Sequence, residues 1–591
     1  MSLDHLPVSP LRRPSSFNFA THIVDHWAKS NPSQNALHWV SQDLNTERKL
    51  TYADISASSH RIATLLHNLG LRPGDVLIVI LPRIPAWWEL ATACLRSGII
   101  FCPCTTLLVD KDIEYRLNIS NAAAFVGDEV AVAKCLKITQ RNACPSLRTI
   151  IQINAGSTKH PPAELPSPVH NFTHLLSTIP PSTTFSVPQS LTPTSPALCF
   201  FTSGTTGPPK IVLHTQTSYP LAHALTGAHW LRLTPTPQSI YWNLSEQGWA
   251  KAAWSFLGAF TNGATLFVHD DRRPFSAPRT LQILHQFPIS TLCAPPTVYR
   301  QLVLDENRAL FEGELAPQAL VHACGAGEPL NQSVVETWKA MSNGMEICDG
   351  YGQTETILMC ANQRGMKIKP GSMGRPLPGV PLTIICEDGS EADQGQEGDM
   401  AVEIDPPGKS AGDDGFFGIF EGYVVDMKSL KLDRRLRETP SGKKFYVTGD
   451  RATRDKDGYF WFVGRNDDVI NSSGYRIGPF EVESTLKLHD AVVESAVVAA
   501  PDPDREEVVK AFVVLTGRKW EEVNRNNKKQ QALVKELQDF CKEHAAPYKY
   551  PRKIEFVDAS FLPKTISGKI KRAELKKLEK ERYQKESKAK L

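Results

Sequence analysis

RPGDVLIVIL, Arg72 to Leu81, sets a proline–glycine turn directly against six consecutive apolar residues. Pro73 and Gly74 punctuate the chain, and an unbroken β-rich run of this length fits a strand buried on both faces. Upstream, Tyr52 to Asn68 carries Ile55, Ile62, Leu65 and Leu66 at helical spacing. Downstream, Trp87, Leu90, Cys94 and Leu95 repeat that spacing, and Ile99 to Cys102 reads as a second buried strand. Strand, helix, strand is a βαβ unit. It predicts an α/β fold in which helices cover a mainly parallel sheet.

Farther along, Gly156 to Pro196 is rich in Pro, Ser and Thr and reads as an irregular surface excursion. Ala197 to Phe201 is a short apolar strand. Past Arg465 the elements shorten. Val492 to Ala499, Val508 to Leu515 and Arg552 to Val557 read as strands, and Leu533, Leu537, Phe540 and Cys541 share a helix face. These predict a separate α+β domain of about 120 residues. The polar run Arg525 to Gln531 reads as a surface loop, and the Lys/Glu tail after Lys571 as a solvated helix.

The 591 residues suffice for roughly three to five domain-sized units. Hydrophobic content of 41% and charge of 22% are those of an ordinary globular chain, and a net charge of +3 gives no footprint for nucleic acid. The scattered cysteines, including the C-x-C pair Cys102 and Cys104, fit buried free thiols in a reducing compartment better than zinc or disulfides. No apolar run approaches the roughly 18 residues that span a bilayer. Arg12 and Arg13 without a following apolar stretch argue against a secretory signal. Ala589-Lys590-Leu591 is a near relative of the S-K-L address, so an import receptor and the peroxisome are expected, with cytoplasm or mitochondrion as alternatives.

The chemistry sits in two distant loops. TSGTTGPPK comprises Thr202, Ser203, Gly204, Thr205, Thr206, Gly207, Pro208, Pro209 and Lys210. A Walker A loop places its lysine directly after the last glycine and a hydroxyl after that. Here two prolines intervene and Ile211 follows, which disfavours a P-loop NTPase. What remains is a hydroxyl- and amide-rich loop suited to β- and γ-phosphates, or a plain surface turn. TISGK, Thr565 to Lys569, puts one lysine behind a glycine.

With DGYGQTET (349–356), YVTGDRATRDKDGYFWFVGRNDD (446–468), SSGYRIGP (472–479) and LPKTISGK (562–569), these loops follow the order seen in adenylate-forming enzymes. The chain resembles that superfamily from about Tyr52 to Leu575. NSSGYRIGP, PDPDREEVVKAFVVL and APYKYPRKIEF make it most similar to the medium-chain acyl-CoA synthetases. The resemblance implies a large N-terminal domain of layered sheets and helices, residues 1–466. It also implies a smaller, mobile α+β cap, residues 467–591, hinged at Asp467. It implies activation of a carboxylic acid with ATP and Mg2+, then transfer to coenzyme A.

Residue roles follow from it. Tyr351 offers a ring to adenine, and Asp349, Gly350, Gly352, Gln353 and Thr354 line the nucleotide and the acid, with the Thr354 hydroxyl near the α-phosphate. Relatives often carry Glu-Ser where this chain has Asp349-Gly350, a departure from the family pattern on the adenine side. Glu355 is the magnesium ligand, against a bland reading as a helix-N-terminal carboxylate. Asp450, in the turn TGD, takes the ribose hydroxyls while Arg465 clamps the ribose–phosphate side; without the family the two read as a surface ion pair. Lys569, with Lys564 its nearest competitor, stabilises charge on the attacked phosphate. For the thiol step the cap presents Ser473, Gly474 and Tyr475, with Arg476 near the substrate. Arg505 and Tyr550-Pro551-Arg552 hold the nucleotide end of CoA. Trp249 walls the acyl pocket together with Gly325 and Gly327, or is plain core. The rivals are an adenylating enzyme that hands its acyl group to a carrier protein or to oxygen, and a non-catalytic acyl- or nucleotide-binding relative.

Overall fold

A computed structural model describes residues 12–141, 143–156, 168–202, 208–327, 330, 332–404, 415–439, 442–466, 468–472, 475–503, 505–524, 526–545, 549–565 and 569–589. The chain forms two compact units. One comprises Met1–Thr202, Lys210–Leu382 and Glu403–Leu436; the other comprises Ser203–Pro209, Thr383–Val402 and Arg437–Leu591. The position 466/467 lies inside the second unit, and Asp467 is outside the described residues.

In the first unit the βαβ reading holds. Thr51 opens the helix Tyr52–Asn68 with a capping box: its hydroxyl accepts from Asp54 N–H at 3.1 Å, and the Asp54 carboxylate accepts from Thr51 N–H at 2.8 Å. Gly74, at φ +89°, turns the chain into the wholly buried strand Val76–Ile80. The helix Ala86–Ser97 stops on Gly98 in the left-handed conformation and feeds the strand Ile100–Pro103. Val76–Ile80 pairs in parallel with Ile100–Pro103 on one side and Ala124–Gly127 on the other. This nine-stranded sheet carries Pro196–Thr202 and Lys210–Thr215 toward one edge. A second nine-stranded sheet has Thr291–Ala294, His322–Ala326 and Ile347–Gly352 side by side in parallel, with Leu358–Ala361 turned antiparallel. Each sheet buries its own aliphatic and aromatic core.

The second unit holds two five-stranded sheets among the described residues. One contains Lys444–Arg454 paired with Phe460–Arg465. In the other, the long hairpin Val492–Asp502 and Glu506–Leu515 is joined in parallel by Lys553–Phe556. Successive residues of the hairpin face opposite cores. Val497 and Val513 meet Leu533, Leu537 and Cys541 of the helix Asn527–His544, while Val498 and Phe512 meet Leu562 and Leu575.

Three expectations are corrected. The stretch 156–196 is not wholly irregular: it includes the strand Val169–Asn171 and the helix Phe172–Ser177. The run 525–531, of which Arg525 is outside the described residues, is not a loop from Asn527 on, because Asn526 accepts from the N–H groups of Lys528 and Lys529 and caps the helix Asn527–His544. The tail is the helix Arg572–Ala589 but is not fully solvated, since Leu575 and Glu579 are buried. All twelve cysteines are free, and all but the half-buried Cys386 are buried, as expected. No helix among the described residues is long and apolar enough to cross a membrane.

Arg572 ties that last helix down. Its guanidinium donates to both carboxylate oxygens of Glu483, at 2.7 and 2.9 Å, and lies 3.8 Å from Asp468. Glu483 is buried and also accepts from Val497 N–H at 2.8 Å. Removing the cation leaves a buried carboxylate without its partner, a loss of about 3–5 kcal/mol. Arg572→Met is therefore expected to lower unfolding free energy by about 3 kcal/mol, and Arg572→Met/Glu483→Gln to recover part of it. Urea titration of the three proteins checks this; an unmoved midpoint in the single variant counts against it.

Candidate active site

The strands that flank the segment Thr202–Lys210 are paired antiparallel. Thr202, the last residue of Pro196–Thr202, stands opposite Lys210, the first of Lys210–Thr215. Residues 203–207 lie outside the described residues; Pro208 and Pro209 lead into the second strand. The Lys210 ammonium sits 5.2 Å above the Tyr423 ring, and the Tyr423 hydroxyl donates to Glu355 Oε1 at 2.7 Å. Lys210 and Glu355, remote in sequence, are thus bridged by one tyrosine.

The segment DGYGQTET begins as the strand Ile347–Gly352, with Asp349 and Gly350 aligned to Gly325 and Ala326 of the neighbouring strand. Its two glycines answer to packing. A Cβ on Gly350 would lie 3.0 Å from the Trp230 ring and 3.1 Å from Leu358. One on Gly352 would lie 2.6 Å from the Trp254 ring and 2.7 Å from the Ile357 carbonyl oxygen. The chain then turns at Gln353–Thr356, where Gln353 N–H donates to the Thr356 hydroxyl at 3.0 Å. Glu355 is followed by the strand Leu358–Ala361, so the helix-terminus reading of its carboxylate does not apply. Phe420 N–H donates to the Glu355 carbonyl at 2.7 Å. Tyr351, Gln353, Thr354 and Glu355 are half-buried while Thr356 is buried.

Sequence reasoning missed the residues beneath this turn. His214 is fully buried and its Nε2 lies 2.8 Å from the Thr354 carbonyl oxygen. Burial holds its pKa down at about 3, although the Thr354 carbonyl opposes that shift. Its ring stacks on Tyr219 at 3.9 Å, and the Trp254 indole N–H donates to the Tyr219 hydroxyl. No period or motif marks such contacts.

Trp249 is half-buried, directly before the helix Ala250–Thr261, and is not part of the buried core. The preceding Gly248 packs against the backbone of Cys104 and Thr105, leaving no room for a side chain. Gly325 would set a Cβ 3.3 Å from Ile347 and 3.8 Å from the Asp349 carboxylate; Gly327 needs its φ of +116°. Glu328 and Pro329 are outside the described residues.

In the second unit Asp450 and Arg465 are cross-strand partners, 3.8 Å apart, with Asp450 buried and Arg465 exposed. Asp450 is not in a turn, as TGD suggested, but within the strand Lys444–Arg454. Gly449 takes φ +79° without ending the strand. Beneath them the buried Arg451 binds Glu397 and Asp399, and Asn466 also donates to Asp399. Lys569 is exposed on a tight hairpin: Thr565 N–H donates to its carbonyl at 2.7 Å, and its own N–H donates to the Thr565 hydroxyl at 3.1 Å. Lys564 bridges Ile570 across the same hairpin. Tyr550 is held between two cations, Lys542 at 4.7 Å and Arg552 at 4.9 Å, and Gln538 donates to the carbonyls of Pro551 and Arg552. Arg505 precedes the strand Glu506–Leu515. Ser473, Gly474 and Asp467 are outside the described residues, and of Tyr475 and Arg476 only their place in the strand Tyr475–Ile477 is described.

Residues 24–404 match the AMP-binding enzyme family and residues 481–569 its C-terminal domain. The chain belongs to the AMP-binding enzymes. Human mitochondrial acyl-coenzyme A synthetase ACSM5 is 42% identical over 573 residues, covering 96% of this chain and 91% of the relative. Among solved structures, the Brucella canis acyl-CoA synthetase has a TM-score of 0.66 at 31% identity, covering 97% of this chain and 96% of that one. The anthranilate CoA ligase AuaEII in complex with anthranoyl-AMP has a TM-score of 0.77 at 26% identity, with 96% and 98% covered. The expected fold, a large α/β domain with a small C-terminal domain, is that of this AMP-binding family. The motifs quoted from the sequence fall in or beside the matched segments: Thr202–Lys210 and Asp349–Thr356 within the first, Lys569 at the end of the second.

Proposed function

We propose that this AMP-binding enzyme is an acyl-CoA synthetase. A carboxylic acid and ATP give acyl-AMP and pyrophosphate; acyl-AMP and CoA then give acyl-CoA and AMP. The observation that carries the reading is the fixed turn Gly352–Glu355, with its carboxylate joined through Tyr423 to Lys210 of the hydroxyl-rich loop. The identity to acyl-coenzyme A synthetases over nearly the whole chain supports it.

In this reading Thr202 to Lys210 wrap the β- and γ-phosphates, Tyr351 stacks on adenine, and Asp349 to Thr354 line nucleotide and acid. Asp450 accepts from the ribose hydroxyls and Arg465 holds the ribose–phosphate side. Glu355 suits Mg2+: a carboxylate is a hard oxygen donor, and this ion is commonly held by one or two carboxylates together with phosphate oxygens and water. The ion, when bound, offsets phosphate charge. As the acid carboxylate forms its bond to the α-phosphorus and the bond to pyrophosphate breaks, Lys569 stabilises the charge on the phosphoryl oxygens. The cap then turns about Asp467 and presents Ser473, Gly474 and Tyr475, with Arg476 near the substrate, to the incoming thiol. Arg505 and the pinned Tyr550-Pro551-Arg552 turn take the CoA nucleotide, which argues against a carrier-protein acceptor. Trp249, outside the core, lines the acyl side. A medium-chain fatty or aryl acid is the substrate class.

The peroxisomal address finds no support in the relatives, whose names place them in the mitochondrion, and Lys590 and Leu591 are outside the described residues. Mitochondrial residence is the reading they favour.

A panel of fatty and aryl acids, assayed for pyrophosphate with and without CoA, tests the function. Pyrophosphate and AMP with acid-dependent consumption of CoA are expected. Orthophosphate release, or turnover that ignores CoA, sinks the proposal.

A further inference from the structure

Deep to the Gln353–Glu355 turn lies a set of buried rings that the proposed chemistry does not use. Its hydrogen bonds define one protonation pattern. The Thr354 carbonyl can only accept, so His214 Nε2, at 2.8 Å, carries the proton and donates. His214 Nδ1 is then an acceptor, facing the Ser218 hydroxyl at 3.3 Å. Ser218 Oγ accepts from Thr215 N–H at 2.9 Å, which leaves its own proton for Nδ1. The tautomer is fixed by a turn four residues away.

The ring is fixed as well. His214 stacks on Tyr219 with 29° between the planes, and Phe200 packs on both. The Tyr219 hydroxyl accepts from the Trp254 indole. The Trp254 ring in turn occupies the space a Gly352 side chain would need. One column thus touches the turn twice: Trp254 bears on Gly352 at its start, and His214 grips the Thr354 carbonyl at its centre.

We propose that His214 is a positioning residue for acyl-adenylate formation: braced by Tyr219 and Trp254, its Nε2–H holds the Thr354 carbonyl so that the Thr354 hydroxyl and the Glu355 carboxylate keep their orientation. A group held within the turn matters most when reacting atoms must align, because misplacement by about 1 Å costs about 10²-fold in rate. The proposal rests on the reading that Thr354 and Glu355 face the nucleotide.

The test uses the full-length protein and acid-dependent ATP–pyrophosphate exchange. His214→Phe keeps the stack on Tyr219 and removes the donor; His214→Gln restores an N–H near the position of Nε2. The phenylalanine variant is expected to lose about 10²-fold in kcat with KM for ATP changed less than about threefold, and the glutamine variant to regain at least about tenfold. Thermal midpoints are measured alongside. If phenylalanine prevents folding, His214→Asn, whose amide stops short of the Thr354 carbonyl, replaces it. A folded donorless variant at full rate, or a glutamine variant no better than it, overturns the proposal. Thr354→Ala and Glu355→Gln run in parallel. Full activity in both faults the reading of the turn; loss in both with an active His214→Phe faults the brace alone.

Discussion

Lys569→Ala is expected to lower acyl-adenylate formation by at least about 10²–10³-fold while leaving thioester formation from supplied acyl-AMP largely intact. Two anions meet when a carboxylate attacks the α-phosphate, and a single cation there offsets charge that exists only as the bond forms. The hairpin supplies its own control. Lys564 is also exposed and stands on the opposite arm, bridged to Ile570, so Lys564→Ala changes the same loop and net charge. It should cost no more than about a few-fold. Pyrophosphate exchange reads the first half-reaction, and CoA consumption from synthetic acyl-AMP reads the second. If both survive Lys569→Ala, or if Lys564→Ala is the more damaging change, the assignment of Lys569 is wrong.

Gly352→Val should be nearly as severe, with a loss of about 10²-fold or more in adenylate formation. A Cβ there meets the Trp254 ring at 2.6 Å and the Ile357 carbonyl at 2.7 Å. One neighbour is backbone and the other is anchored to Tyr219, so the turn itself must move and carry Thr354 and Glu355 with it. Gly350→Ala, two residues earlier on the same strand, grades the effect. Its Cβ would meet Trp230 and Leu358 side chains at 3.0 and 3.1 Å, which can yield by tenths of an ångström. A loss of about a few-fold is expected, and equal behaviour of the two variants would show that side-chain space does not govern the turn.

Much of the fold was legible, for local reasons. VLIVI followed a proline–glycine turn, and helical spacing on both sides left one way to pack. The small domain was legible because its hairpin alternates between two apolar cores. Local signals also misled. Gly-Asp is turn chemistry, and Gly449 does take a positive φ, yet the strand Lys444–Arg454 continues through it, and from Asp450 onward it pairs with Phe460–Arg465. Polar composition hid the start of the helix Asn527–His544, where one asparagine cap outweighs the absence of apolar residues. Charge likewise hid the burial of Leu575.

The site divided along similar lines. The residues proposed to touch a nucleotide came from the order of the motifs, which a sequence displays directly. The residues that hold them did not. His214 meets Thr354 across 140 positions, and Trp254 meets Tyr219 across 35. Such pairings arise from sheet order, which no local pattern encodes.

The stem carrying Lys569 is clasped twice, at Thr565 and again where Lys571 N–H reaches the Pro563 carbonyl at 2.8 Å. Beyond it Arg572 is anchored to Glu483. If, as proposed, Lys569 must leave before the thiol arrives, these backbone bonds make it cheaper for stem and helix to travel together than for the lysine to leave alone. A compound that blocks such travel is expected to slow thioester formation without competing with ATP or acid.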